Sequence, residues 1–302
     1  GEHACEVPYF SGRSGAKLME VEKQHLVNLW REPVRFEDAI ASVAKDYAER
    51  GPLQFVEVGS YVGLGRYARF TYEEKAGTRL CKEVSCFGPT GKLELGDAEK
   101  ALRKKVETQE TILPQHLSMD MTINVFPQGV KLYVFSGVSP RCADTFLSLR
   151  SQLLSHPVME FAAAVNSVLM GHANLTKAFC NLLSTSPEGF SLLTFIQQNP
   201  QTPSSLPVPV LYAMVTLSHL LQCVGLVRTK YANWAEFLRD TAGVTGHGLG
   251  LVCALAVSRS STLREFVRSA ALAVESVFWL SFCAEPGHSL LQVKDCPFTV
   301  LA

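Results

Sequence analysis

Residues Gly243-Val244-Thr245-Gly246-His247-Gly248-Leu249-Gly250 have the spacing of a nucleophile elbow. In such an elbow a strand turns sharply into a helix between small residues. One side chain then stands above the sheet, with a backbone N–H behind it to hold an oxyanion. Here the central position is Gly248, whose side chain is a hydrogen. An acyl-enzyme needs a Ser, Cys or comparable atom at that point, so Gly248 is a nucleophile position without a nucleophile. The alternative reading is a glycine-rich turn with no chemistry.

An elbow needs a sheet and a following helix, and the flanking sequence supplies signals for both. Val7-Pro8-Tyr9-Phe10-Ser11 reads as a strand ending in the turn residues Gly12 to Gly15, and Leu18 to Trp30 has helical spacing of apolar residues. A second helix is expected over 36–50, ending at Gly51-Pro52 and leading into the apolar strand Gln54-Phe55-Val56-Glu57-Val58. Scattered Gly and Pro mark 86–130 as a linker, with a solvated charged helix within 97–110. A strand at Lys131-Leu132-Tyr133-Val134-Phe135 then runs into Ser136-Gly137-Val138. Helices are expected over 144–154, 157–169, 175–183, 190–198 and 211–224, the last stopping at Gly225, with two more after the elbow over 249–258 and 262–282. Alternating strands and helices predict an α/β fold with a parallel sheet core covered by helices.

Bulk properties narrow the class. A chain of 302 residues with 47% hydrophobic content can build a sizeable core, as one large domain or two medium ones. Lys+Arg and Asp+Glu balance at 28 each, so net charge selects neither nucleic acid nor an anionic membrane. The nine cysteines include no CxxC pair, and Cys81 to Cys86 lacks the second pair a zinc site requires. They read as reduced thiols filling the core of a cytoplasmic protein, with no metal and no bound cofactor. The long apolar run from Leu206 to Val227 contains Pro207, Pro209, Ser218, His219 and Gln222, which favours a buried helix over a membrane span. The chain starts at Gly1 with no charged-then-apolar leader, as expected of an excised piece.

Beyond the elbow, residues 186–286 form a recognisable block. Its order is Phe190 and Phe195, the helix from Leu211 to His219, Cys223-Val224-Gly225-Leu226, Phe237-Leu238-Arg239, Gly243 to Gly250, and Ala270 to Leu280. This block resembles the acetyltransferase domain of the fungal-type fatty acid synthase beta subunit and the starter-unit acyltransferase domains of fungal polyketide synthases, within the malonyl-CoA:ACP transacylase superfamily. In that family the elbow reads Gly-Val-Thr-Gly-His-Ser-Gln-Gly or carries Cys. The resemblance implies an acyltransferase, hydrolase-like fold and transfer of acyl groups from coenzyme A to a carrier-protein thiol. It also implies backbone N–H donors for the oxyanion at Leu249 and at Val138, where Phe135-Ser136-Gly137-Val138-Ser139 is a degraded form of the family's Gly-Gln-Gly turn. His247 corresponds to the residue that supports the elbow. The family's base lies in a downstream subdomain, and His288 comes too early to match it, so the fold is apparently incomplete.

The first segment carries a similar resemblance in the reverse order. Val7 to Gly12, His25-Leu26-Val27, Pro33-Val34-Arg35-Phe36 and Phe55 to Gly59 with Gly63-Leu64-Gly65 look like the closing third of such an acyltransferase. Residues 1–85 thus read as the C-terminal part of one acyltransferase-like domain and 131–302 as the N-terminal part of a second. Two explanations fit: a slice of a tandem synthase, or a permuted domain whose tail and head complete one another. The length of the linker and the N-terminal Gly favour the slice. Expected partners are an acyl carrier protein and other domains of a fatty acid or polyketide synthase, with no nucleic acid and no membrane. Substrates implied by the resemblance are acyl-CoA and phosphopantetheine thioesters.

Two rivals stand beside this reading. Phe55 to Gly65 also resembles the first motif of nucleotide-cofactor methyltransferases, but only Glu73-Glu74 offers an acidic partner and no apolar run precedes it. A fold without its nucleophile also suits a structural or docking element of a synthase, in which Arg103, Lys104 and Lys105 are a possible but weak carrier-docking patch.

Overall fold

The computed structural model describes residues 3–22, 34–47, 53–59, 64–77, 82–85, 130–138, 156–198 and 206–284, together with residues 25, 28, 149, 150 and 153. The expected helices over 97–110 and most of 144–154, along with Arg103, Lys104, Lys105, Cys81, Cys86 and His288, lie outside them.

Six strands form one sheet: β1 (His3–Phe10), β2 (Lys17–Val21), β3 (Leu53–Val58), β4 (Lys82–Ser85), β5 (Val130–Phe135) and β6 (Thr241–Gly246). Their order across the sheet is β2-β1-β6-β5-β3-β4. β1, β6, β5, β3 and β4 run parallel, and β2 pairs antiparallel with β1 at the edge. Strands β3 and β6 are buried at every residue, as a parallel sheet covered on both faces requires. Segments 1–85 and 131–302 both contribute strands to this sheet: β1 pairs with β6, and β3 pairs with β5 along Leu53–Val58.

Alternation along the strands divides the apolar side chains between two layers. Phe10, Phe55, Leu132 and Val134 pack with α1 (Phe36–Tyr47) and α2 (Leu64–Ala76). Tyr9, Val56, Val58, Tyr133, Phe135 and Val244 face the larger layer. That layer is built by α3 (His156–Met170), α4 (Ala173–Leu183), α5 (Leu192–Gln198), α6 (Val208–Lys230), α7 (Trp234–Arg239), α8 (Leu249–Ser258) and α9 (Leu263–Ala284). α6 and α9 are long and apolar enough to cross a membrane by length and composition. The most apolar stretch of α6 is 83% buried, that of α9 44%, and both belong to the same core. Cys5, Cys180, Cys223 and Cys253 are buried free thiols.

Three expectations change. Lys17–Val21, expected to open a helix, is an edge strand, because the Gly12–Gly15 turn closes a hairpin on β1 and the Ser11 N–H donates to the Ala16 carbonyl at 2.9 Å. Only His25 and Asn28 in that stretch are described as helical. Second, α6 does not stop at Gly225 but continues to Lys230. Leu226 and Val227 are buried beyond the glycine, and this packing outweighs its cost of about 1 kcal/mol in a helix. Third, β4 was not foreseen; it is held by parallel pairing of Lys82–Ser85 with Gln54–Glu57.

Candidate functional site

The carboxyl ends of β1, β6, β5 and β3 lie side by side, the edge at which open α/β sheets place their ligands. Val58, Phe135 and Gly246 are in register across three strands. β6 is aimed at this edge by α7, whose first turn is closed reciprocally. The Glu236 N–H donates to the Asn233 side chain at 2.9 Å, and the Ala232 N–H donates to the Glu236 carboxylate at 2.7 Å. Within the sheet the Thr245 hydroxyl donates to the Phe10 carbonyl at 2.8 Å, tying β6 to β1.

At the turn, Gly248 has φ 56° and ψ −126°. A residue with a side chain reaches that backbone only under strain, as the nucleophile of an elbow does. Space is not the obstacle: a Cβ at Gly248 would find only the Gly137 Cα within 4 Å, at 3.8 Å. Gly250 differs, since a side chain there would collide with the Phe135 carbonyl. That glycine lets α8 begin directly against the end of β5. The His247 N–H donates to the Phe135 carbonyl at 3.0 Å, and the Leu251 N–H to the Gly248 carbonyl at 3.0 Å, so the turn is held by its backbone.

The residues named from sequence come together here. Leu249 is the first residue of α8 and is buried, while His247 is exposed. The ring of His247 stands edge-on to Phe36 with centroids 6.3 Å apart, and Phe36 stacks on Tyr67 at 6.1 Å. Val138 is 40% exposed and follows Gly137, which passes beside Gly248. The edge therefore offers the amino end of a buried helix, an exposed imidazole and a glycine turn of low steric bulk, and no nucleophilic side chain at 248.

Glu57 accounts for the other glycine pattern. It is buried within β3, and its carboxylate accepts the Leu64 N–H at 3.2 Å and the Gly65 N–H at 2.9 Å. The amino end of α2 is thus capped by a negative side chain from its own sheet. In a nucleotide site such N–H groups face phosphate or cofactor; here they face the Glu57 carboxylate. Gly65 is small because a Cβ there would press on Glu57 at 3.1 Å.

Sequence reasoning assigned no role to three features that the structure makes prominent. One is the Glu57 cap. Another is the contact of Ser11 Oγ with His25 Nε2 at 3.2 Å. The third is His219 in α6, fully buried with no hydrogen-bond partner on either ring nitrogen among the described residues. Burial pulls its pKa down to about 4, so it is neutral. The polar residues interrupting the apolar run of α6 were the only sequence signal for it. Among the described residues no group of three His, Cys, Asp or Glu is placed to hold a metal.

The chain is thus an α/β protein with a mostly parallel sheet covered by helices and a glycine turn at its carboxyl edge, and part of it is similar to known proteins. Residues 172–296 match the family described as "Starter unit:ACP transacylase in aflatoxin biosynthesis". The fatty acid synthase beta subunit hexB of Dothistroma septosporum is 27% identical over 117 residues, covering 36% of this chain and 6% of that protein. The fatty acid synthase beta subunit pigK of Monascus ruber is 35% identical over 99 residues, 31% of this chain and 5% of that protein. These matches make this part of the chain similar to an acyltransferase-type domain of the fatty acid and polyketide synthase kind. The matched stretches span only a small fraction of those relatives. No solved structure matches the chain.

Proposed function

We propose that this chain binds acyl thioesters at the Gly248 turn without forming an acyl-enzyme there, as an acyltransferase-type domain of a synthase that has lost its elbow nucleophile. Gly248 carries the reading: it keeps the elbow's backbone, φ 56° and ψ −126°, and lacks the reacting atom. The N–H groups of Leu249 and Val138 would hold the thioester oxygen, and His247 would keep the turn in place against Phe36. Acyl-CoA and carrier-bound phosphopantetheine thioesters are the substrates this reading implies. An acyl carrier protein and neighbouring synthase domains are its partners, the cytoplasm its compartment, and no resident cofactor is needed.

Mass-tagged acyl-CoA tests it. Non-covalent binding is expected with no acyl adduct on residues 243–250, and Gly248→Ser is expected to gain an adduct on the new hydroxyl. A stable adduct on 243–250 of the unaltered chain overturns the reading.

The pairing of β1 with β6 and of β3 with β5 favours a second point: residues 1–85 and 131–302 work as one unit, tail and head completing a single sheet, in preference to pieces of two tandem domains. The docking-element alternative predicts no acyl-CoA binding at all.

A further inference from the structure

We propose that Ser11 and His25 form a nucleophile and base pair that accepts an acyl group from an activated acyl compound, at the same sheet edge as the elbow. The choice of thioesters as the activated class rests on the reading above, whereas the pair itself rests on its own geometry.

A serine hydroxyl has two lone pairs and one proton. At Ser11 the oxygen accepts the Arg13 N–H at 3.1 Å and the Ser14 N–H at 3.2 Å, which occupy the lone pairs. The remaining contact is His25 Nε2 at 3.2 Å. By elimination the hydroxyl donates to Nε2, which places the ring's own proton on Nδ1. This is the relation of an activated serine to its base. The two backbone N–H groups add to it, because they stabilise the negative charge that grows on Oγ as the proton leaves. A serine turn accounts for the bonds to residues 13 and 14; it does not require an imidazole on the third side.

Position supports the same role. Tyr9 is in register with Val244, so Ser11, two residues on, stands level with Gly246, where the elbow begins. Gly12 passes so close to that turn that a Cβ on it would lie 2.8 Å from Leu251 Cδ2 and 3.4 Å from the Gly246 carbonyl. The His25 ring is held edge-on against Tyr9, with centroids 5.8 Å apart at 88°. Ser11 and His25 are both buried, so the pair is shielded from water and is reached through local opening.

In the step, the same local opening releases one of the two backbone N–H bonds, and the lone pair it frees on Ser11 Oγ bonds to the acyl carbon while the hydroxyl proton passes to His25 Nε2. The carbon–sulfur bond breaks, and the leaving thiolate takes that proton, leaving an ester on Ser11 and a free thiol. An acceptor thiol reverses the sequence, with His25 taking its proton.

The test treats the full chain with a fluorophosphonate probe, followed by peptide mass mapping over a day, since only the small open fraction of the chain reacts. An adduct on Ser11 is expected, absent in Ser11→Ala and formed about 100-fold more slowly in His25→Gln. Should Ser11→Ala fail to give the native circular dichroism spectrum, Ser11→Cys replaces it. Iodoacetamide is then expected to alkylate Ser11→Cys at least about 10-fold faster than the same variant combined with His25→Gln. A folded chain with no adduct on Ser11, or labelling that ignores His25→Gln, overturns the pair. Acyl-CoA binding without a Ser11 adduct defeats the pair and leaves the elbow reading intact. A Ser11 adduct in a chain that neither binds nor reacts with acyl-CoA upholds the pair and defeats the thioester reading.

Discussion

The two ends of the central strands β5 and β6 are built on opposite plans. At the amino end, side chains satisfy one another. The Lys131 ammonium pairs with the Asp240 carboxylate and lies 5.3 Å from the centroid of the Tyr231 ring. The Tyr231 hydroxyl donates to the same carboxylate at 2.8 Å and meets the Tyr133 hydroxyl at 2.7 Å, while the Lys131 N–H donates to the Asp240 carbonyl at 2.9 Å. At the carboxyl end side chains give way to glycines, and the backbone carries the polarity. A closed network of polar side chains stabilises and has nothing left for a ligand. An edge made of backbone donors and low bulk has capacity to spare.

The largest effect that would test this contrast comes from Asp240→Ala. It removes the carboxylate that pairs with the mostly buried Lys131 ammonium, 11% exposed at the side chain, and that accepts from the Tyr231 hydroxyl. A loss of about 3 to 4 kcal/mol is expected in urea unfolding, with acyl-CoA binding per folded molecule unchanged. A loss below about 1 kcal/mol, the range of exposed pairs, would show that the amino end is no clasp.

A slightly smaller effect lies in the helix layer beneath both ends. Burial holds His219 at about 4, against 6.5 for an ordinary imidazole, so the unfolded chain takes up the proton first as pH falls. The stability tied to neutral His219 is therefore intact above pH 6.5 and declines between about 6.5 and 4, by about 3 kcal/mol in all. His219→Leu is expected to flatten that part of the pH-stability profile. An identical slope in the variant would assign the pH response to other groups. Cys223 and Cys253, on α6 and α8, are pushed upward by the same burial, Cys223 to about 12, and so stay neutral across this range.

The smallest effect is expected at the open end. Gly248→Ser meets only the Gly137 Cα at 3.8 Å, so its cost is the backbone strain of a non-glycine residue at φ 56°, about 1 to 3 kcal/mol. Differential scanning calorimetry beside Asp240→Ala ranks the two ends directly. A Gly248→Ser chain less stable than Asp240→Ala would reverse the comparison.

Much of this edge was legible in advance because it depends on local chemistry. The Gly246-His247-Gly248-Leu249-Gly250 spacing encodes a sharp turn, and the apolar runs at Phe55 and Leu132 encode buried strands. Both follow from short-range steric and hydrophobic rules. Lys17–Val21 was not legible, since its apolar residues fit a helix as readily as an edge strand, and the choice was made by pairing with β1. The end of α6 was misplaced for the same kind of reason. Gly225 is a stop signal in isolation, and the burial of Leu226 and Val227 overrides it. The Ser11 and His25 pair joins residues fourteen apart by a contact that no periodicity records.

Taken alone, the sequence determined the α/β class, the elbow with its missing atom at Gly248, and the acyltransferase resemblance, because each is written in residue types a few positions apart. Tertiary structure decided that residues from both sides of 86–130 share one sheet, that Glu57 caps its own helix, and that Ser11 meets His25 one strand from Gly248. Strand order and the partners of buried polar groups are long-range choices. They are selected by which pairing leaves the fewest buried N–H, C=O and side-chain polar groups unsatisfied.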